Sequence, residues 1–125
     1  MVRGSRSIAA SVLGVALLAT APGEAQQAPN VAGGWTAQWG AGQISIMMQQ
    51  QGALVVGTYS SVRGIQPGAF AARFRGNVLV GRWTDADSSG GLSLVFSADG
   101  RSFVGTWGRT IASVNNGGPW TGQRN

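Results

Sequence analysis

The sequence carries an internal repeat with a period of 24 residues, and this repeat constrains the fold more than any other feature. Laying residues 31–54, 55–78, 79–102 and 103–125 under one another aligns three columns without a gap. Such a period indicates an array of similar supersecondary units. The first column is glycine, the second is aromatic, and the third is again glycine: Gly33, Gly57, Gly81 and Gly105; Trp35, Tyr59, Trp83 and Trp107; Gly52, Gly76 and Gly100.

Each repeat contains the pattern of two β-strands joined by a tight turn. Apolar residues alternate with polar ones, as in the segment 44–48, and this period of two predicts strands with one buried face. Glycines between the strands, at Gly52, Gly76 and Gly100, supply the positive φ that short hairpin turns require. We place eight strands near residues 33–39, 43–50, 54–61, 69–75, 78–85, 91–98, 102–109 and 118–124.

These patterns predict an all-β fold, an eight-stranded antiparallel up-and-down barrel built from four two-strand repeats. Closure of the barrel removes the exposed edges that an open sheet would leave. Because the period is even, equivalent residues face the same way in every repeat. The glycine and aromatic columns should face the interior, where tryptophans serve as packing, and Val56, Val80 and Val104 should face outward.

Two other β-architectures stay open at this point. A parallel β-solenoid is compatible with a rung of about 24 residues, but the tight glycine-containing turns favour antiparallel hairpins and no end caps are evident. A transmembrane barrel needs strands of about 9 to 11 residues with an apolar outer band. Three arginines are expected on that outer face, which disfavours it: Arg73, Arg75 and Arg82.

The first 25 residues differ in composition from the rest of the chain. Arg3 and Arg6 precede an apolar run from Ile8 to Leu18, and small residues follow up to Ala25, which is the pattern of a cleaved secretory signal peptide. The apolar run is too short to span a membrane. We expect a secreted or periplasmic protein without a membrane span, divided into a signal peptide at 1–25, a flexible N-terminal arm at 26–32 and a barrel domain at 33–125.

The composition excludes most catalytic chemistry. The chain has no His, Cys or Lys, so histidine bases, thiol nucleophiles and Schiff-base lysines are absent. We therefore expect a protein that is not an enzyme and that needs neither a metal nor another cofactor. The segment 85–90 copies the start of a calcium-binding loop, but Phe96 stands where the bidentate Glu belongs, which favours an ordinary polar turn. The arginines are scattered singly, which argues against nucleic-acid binding.

Three segments resemble strands of the avidin and streptavidin barrels: Gly-Trp-Thr-Ala-Gln-Trp-Gly at 34–40, Gly-Ala-Leu-Val-Val-Gly-Thr-Tyr-Ser-Ser at 52–61, and Trp-Thr-Gly-Gln at 120–123. The resemblance lies mainly in the first two hairpins and implies a small calycin-type barrel. It also implies that Tyr59 and Ser61 hydrogen-bond the ureido group and ring of biotin. Ala37 and Ala41 stand where the family has Asn and Ser, and the last strand lacks the family's Asp. We therefore expect biotin itself not to bind tightly.

The longer connections between strands should meet at one end of the barrel, the predicted mouth. Loops at a barrel mouth commonly carry ligand sites. The sequence predicts a non-enzymatic binding protein whose small-molecule ligand contacts side chains at this end: Trp39, Tyr59, Ser61, Arg63, Asp85, Arg109 and Asn115.

Two other kinds of function stay open. The barrel could recognise a protein, for example as a periplasmic protease inhibitor that acts through its loops or N-terminal arm, although the cysteine pair typical of such inhibitors is absent. It could also be a structural component of a matrix or cell surface. The outward valines predict, in addition, an apolar outer face through which copies of the barrel form a homo-oligomer.

Overall fold

The computed structural model describes residues 28–40, 42–63 and 67–125, with the backbone alone for residues 61–63. The predicted signal peptide lies outside the described residues. This part of the chain contains no α-helix, and so no helix in it is long and apolar enough to cross a membrane. Its eight strands are β1 (Gly33–Trp39), β2 (Gly42–Gln51), β3 (Leu54–Arg63), β4 (Gly68–Arg75), β5 (Val78–Asp85), β6 (Ser89–Phe96), β7 (Ser102–Trp107) and β8 (Gly118–Arg124).

The strands form one closed antiparallel barrel. Each strand pairs with the next in the chain, and β1 closes the barrel by pairing with β8 from Trp35↔Arg124 to Trp39↔Trp120. The predicted all-β, eight-stranded up-and-down barrel is therefore confirmed. Strands β6 and β7 end two residues earlier than predicted. β6 ends because Ser97 starts a turn, in which Ser97 Oγ donates a hydrogen bond to Asp99 Oδ1 at 2.7 Å.

Short turns and long connections lie at opposite ends of the barrel. Three glycines have the left-handed φ that the sequence predicted for the short turns: +60° at Gly52, +61° at Gly76 and +72° at Gly100. The other four connections join β1 to β2, β3 to β4, β5 to β6 and β7 to β8, and the strand ends that they link lie at the opposite end of the barrel, which we call the mouth. The predicted separation of hairpin end and mouth is thus observed.

The interior is filled with side chains. Alternate residues of the strands are buried or half-buried, and glycines admit large neighbours: a Cβ at Gly57 would lie 2.3 Å from the ring of Phe70. Towards the hairpin end, Trp35 contacts Phe96 and Phe103 with ring centroids 5.5 Å apart in both pairs. The barrel is therefore a packed core of aromatic and aliphatic groups, as expected for a barrel of eight strands.

The hairpin end is closed by the part of the N-terminal arm that the structure describes. The Val31 side chain is completely buried, its N–H donates to Gln50 Oε1 at 2.8 Å, and its carbonyl accepts from Trp35 Nε1 at 2.9 Å. Arg124 donates from one guanidinium nitrogen to the carbonyl of Asn30 at 2.8 Å and from the other to that of Ala32. Residues 28–32 are thus anchored to the barrel by buried and charge-assisted contacts.

Candidate functional site

Five aromatic side chains gather inside the mouth end, and we call them the mouth cluster: Trp39, Tyr59, Trp83, Trp107 and Trp120. Trp39 and Trp107 are the last residues of β1 and β7, Trp83 lies near the end of β5, and Trp120 lies near the start of β8. Because odd-numbered strands end and even-numbered strands begin at the mouth, residues far apart in the chain meet there.

Trp39 lies at the centre of the mouth cluster. Its ring stacks on Trp120 at a centroid distance of 4.5 Å and an interplanar angle of 15°. It makes edge-to-face contacts with Tyr59 at 4.9 Å, Trp83 at 5.1 Å and Trp107 at 5.4 Å. These offset and perpendicular arrangements are the favourable ones for aromatic pairs. Trp39 is only 7% exposed, so the described mouth is closed by rings rather than lined by polar groups.

Three polar atoms of the mouth cluster are buried without a hydrogen-bond partner among the described residues: Tyr59 Oη, Trp107 Nε1 and Trp120 Nε1. Trp83 and Trp35 show the usual arrangement, in which a buried indole N–H has a hydrogen-bond partner. Trp83 Nε1 donates to the Gly108 carbonyl at 3.0 Å, and Trp35 Nε1 donates to the Val31 carbonyl. A buried donor that is left unsatisfied costs about 1 to 3 kcal/mol. Three such atoms in one cluster are unusual for a core that serves packing alone.

Tyr59 is held where its hydroxyl cannot easily ionise. The hydroxyl lies over Gly68, where a Cβ would stand 2.5 Å from Tyr59 Oη, so the ring position depends on that glycine. Asp85 pairs with Gly68 across β4 and β5. Burial raises the pKa of Tyr59 far above its ordinary value, and the negative charge of Asp85 raises this pKa further. Tyr59 is therefore a neutral hydrogen-bond donor at physiological pH and a poor general base.

The raised pKa predicts that the fold loses stability in alkali. Above pH 10, the ordinary pKa of tyrosine, the unfolded chain releases the phenolic proton while the folded chain keeps it. Stability is then full below pH 10 and falls above it by up to about 1.4 kcal/mol per pH unit. Urea unfolding between about pH 8 and pH 12 measures this slope, and Tyr59→Phe should remove it. The chain has one Tyr and no Lys, His or Cys, so an equal slope in both proteins would contradict the assignment.

The structure brings several of the predicted site residues together. Trp39 and Tyr59 are in direct contact inside the mouth, and Asp85 acts on Tyr59 from the end of β5. Ser61 and Arg63 belong to β3 at positions paired with Ile44 and Gln43, but their side chains lie outside the described part of the structure.

Asp85 stabilises a turn at the mouth. Its Oδ1 accepts hydrogen bonds from the backbone N–H of Asp87 at 2.9 Å and of Ser88 at 2.8 Å. This arrangement is an Asx-type turn that starts the β5–β6 connection. It agrees with the polar turn that the sequence favoured over a calcium loop. Among the described residues no group of three carboxylates, His or Cys could hold a metal ion.

Arg109 and Asn115 lie on the long connection between β7 and β8. The Arg109 guanidinium lies 5.5 Å from the centre of the Trp107 ring, close enough for a cation–π contact. Asn116, rather than Asn115, holds this arginine in place: its side-chain oxygen accepts from the backbone N–H of Arg109 at 2.8 Å, and its backbone carbonyl accepts from Arg109 Nε at 3.3 Å. Asn115 is exposed at the surface of the connection. Arg109 therefore forms the rim of the mouth above Trp107.

The long connection also shapes the mouth cluster through glycines. A Cβ at Gly90 would lie 1.9 Å from the Gly108 carbonyl, and a Cβ at Gly117 would lie 2.2 Å from the Trp107 ring. The absence of side chains at these positions lets the connection fold closely onto β6 and β7. It places the Gly108 carbonyl where Trp83 Nε1 can reach it.

Sequence reasoning placed Trp83, Trp107 and Trp120 in the packing and left them out of the predicted site. The aromatic column of the repeat did indicate Trp83 and Trp107. It grouped them with Trp35, however, which lies in the other half of the barrel interior. The pairing registers shift neighbouring strands along their length relative to one another. Residues that share a column of the repeat therefore lie at different heights in the barrel.

No known protein family, curated protein or solved structure matches this chain in the comparisons made.

Proposed function

We propose that this chain is an exported, non-enzymatic binding protein whose mouth cluster takes a small planar molecule carrying hydrogen-bond acceptors. The observation that carries the proposal is that three buried donors in the cluster have no hydrogen-bond partner among the described residues. A ligand with carbonyl or ring-nitrogen acceptors would satisfy them, and its flat face would stack on the indole rings. The rim contributes one cation and one carboxylate, Arg109 and Asp85.

Entry of a ligand requires an aromatic ring to move. Trp39 and Trp107 are the candidates, because each is the last residue of its strand, and Trp107 is only partly buried. Gly40, with φ of +59°, follows Trp39 directly and gives the backbone freedom at that point. We infer that Trp39 rotates away from Trp120 when the ligand takes its place in the stack.

The test is titration with acceptor-bearing probes, 2-imidazolidinone, 2-pyridone and biotin, followed by the indole N–H resonances in NMR spectra. We expect the Trp120 and Trp107 N–H signals to shift with at least one of the two smaller probes, while the Trp35 signal stays in place because its N–H is already bonded. Unchanged Trp120 and Trp107 signals up to the solubility limit of the probes would contradict the proposal.

Tyr59→Phe separates binding from folding. Removing an unpartnered hydroxyl should leave the fold equally stable or more stable by about 1 kcal/mol, while weakening probe binding. A variant that is clearly destabilised would show that Tyr59 Oη has a structural partner. Biotin should not reach sub-micromolar affinity, because Ala37 is buried inside the barrel with only a methyl group to offer.

Recognition of a protein has less support than binding of a small molecule. Residues 28–32 of the N-terminal arm are anchored to the hairpin end, and residues 30–32 hold contacts that a reaching arm would have to break. No observation on the described residues favours a purely structural role.

We also propose that the barrel self-associates through the outer face of β6 and β7. Val95 and Val104 are directly opposite each other across these strands and are 42% and 61% exposed. Val56 and Val80 face outward as predicted. Arg73, however, lies beside Val80 and interrupts the apolar surface there. Exposed apolar patches of this kind support association between copies.

Sedimentation velocity measures this association. We expect the wild type to show dimers at high micromolar concentration and Val104→Asp to be monomeric. Ser45→Asp is the matched control, because Ser45 is exposed on β2, on the other side of the barrel from β6 and β7. A wild-type protein that stays monomeric would rule out the proposed association.

A further inference from the structure

A groove of about 470 Å³ runs along the outer surface of the barrel over β4. The pairing registers arrange its outward side chains in two rows across β2, β3, β4 and β5. One row is Gln49, Val56, Ala71 and Arg82, and the other is Met47, Thr58, Ala69 and Thr84. The volume lies within the range of small-ligand sites, about 300 to 1,000 Å³.

The shape of the groove follows from side-chain size. Ala69 and Ala71 put only methyl groups on its floor, while larger side chains stand on β3 and β5 on either side. These walls are two strand spacings apart, roughly 9.5 Å between backbones. A slot of this width accommodates one extended alkyl chain lying parallel to β4.

One end of the groove is positively charged. Arg82 forms part of its wall, and Arg73 follows the floor residue Ala71 two positions along β4, on the same outer face. Neither arginine has a hydrogen bond or ion pair with another described residue. Asp85, the carboxylate nearest along β5, is bonded to its own turn. An apolar slot that ends at two guanidinium groups without a partner among the described residues is complementary to an amphiphilic anion.

We propose that this groove binds the extended chain of a single-chain fatty carboxylate. The carboxylate lies between Arg82 and Arg73, towards the hairpin end, and the alkyl chain runs over Ala71 and Ala69 towards the mouth. A second copy of the barrel fits the groove less well. In a two-fold symmetric contact the same patch meets itself, and the arginines of both copies would approach one another.

The experiment follows backbone amide shifts in NMR spectra during titration with dodecanoate below its micelle concentration. Two probes separate the contributions of head and tail: dodecyltrimethylammonium, with the same tail and the opposite charge, and butyrate, with the same head and a short tail. We expect saturable shifts at Ala69, Ala71 and Arg82 with dodecanoate alone. The indole N–H signals of the mouth cluster should stay unchanged, which distinguishes this site from the proposed mouth ligand.

Three variants complete the test. Ala71→Phe should abolish binding by filling the slot from the solvent side, and Arg82→Gln should weaken it about tenfold by removing a charge-assisted hydrogen bond. Arg101→Gln, an exposed arginine outside the groove, should bind as the wild type does. Equal binding of the cationic probe, unchanged binding by Arg82→Gln, or shifts confined to the mouth cluster would each overturn the proposal. So would loss of a wild-type dimer in Ala71→Phe, because the groove would then be an interface between copies.

Discussion

Gly81→Val should lower the free energy of unfolding by about 3 kcal/mol or more. A Cβ at this position would lie 2.1 Å from the Ala71 carbonyl oxygen and 2.5 Å from the Ala72 Cα, so the new side chain meets the backbone of the paired strand. Neither atom can move without breaking the pairing of β4 and β5. For a domain of about 100 residues the melting temperature should fall by roughly 12 °C or more.

Gly34→Val is the matched control for this substitution. A Cβ at Gly34 would meet only the ends of flexible side chains, Asn125 Nδ2 at 3.2 Å and Met47 Cε at 4.0 Å. Its effect should stay within about 0.5 kcal/mol. Thermal unfolding followed by circular dichroism compares the two variants. Similar melting temperatures would mean that β4 and β5 are not as close at Gly81 as described.

Trp120→Ala should cost about 3 to 5 kcal/mol, because Trp120 is completely buried and the truncation leaves a large cavity. The ring stacks on Trp39 and meets the edges of Phe70 and Phe103, at 5.8 and 6.1 Å, so it joins the mouth cluster to the aromatic core below. Denaturant unfolding measures the loss.

Trp120→Phe separates the stability that the aromatic ring contributes by packing from any that its N–H group contributes by hydrogen bonding. Trp120 Nε1 has no partner among the described residues, so this variant gives up packing volume without breaking a hydrogen bond. We expect it to cost less than about 1.5 kcal/mol. If the phenylalanine variant loses as much stability as the alanine variant, Trp120 Nε1 has a hydrogen-bond partner in solution, and the support for the mouth site falls with it.

The sequence carried enough information for the strands and their order, because alternation of polar and apolar residues is a local signal. The turns at Gly52, Gly76 and Gly100 were predictable for the same reason, since a positive φ favours glycine at those positions. The outward position of Val104 and the inward position of Phe103 also followed from alternation alone.

The composition of the candidate site was less predictable, because it depends on how far each strand is shifted against its neighbours. Trp35 and Tyr59 share a column in the repeat, yet Trp35 packs on Phe96 and Phe103 while Tyr59 packs on Trp39. No local pattern reports that shift. The unpartnered state of Trp120 Nε1 is likewise invisible in the sequence, since it results from what the surrounding elements fail to supply.

The outer groove could not be predicted from the sequence either, but for a different reason. Ala69 and Ala71 are ordinary residues for an exposed strand face, and no local pattern in the sequence indicates a role for them. Their significance arises only when the registers set them between Val56 and Thr58 on one side and Arg82 on the other. A depression on a sheet is a property of four strands together.

The anchoring of Asn30 by Arg124 has a practical consequence for handling the protein. It holds the segments that enter and leave the barrel side by side at the hairpin end, as far from the mouth as the barrel allows. A purification tag, a fluorophore or a surface tether attached through either segment therefore points away from the mouth. Immobilised barrels would all present the aromatic end to solution, which suits the protein to surface-based binding measurements.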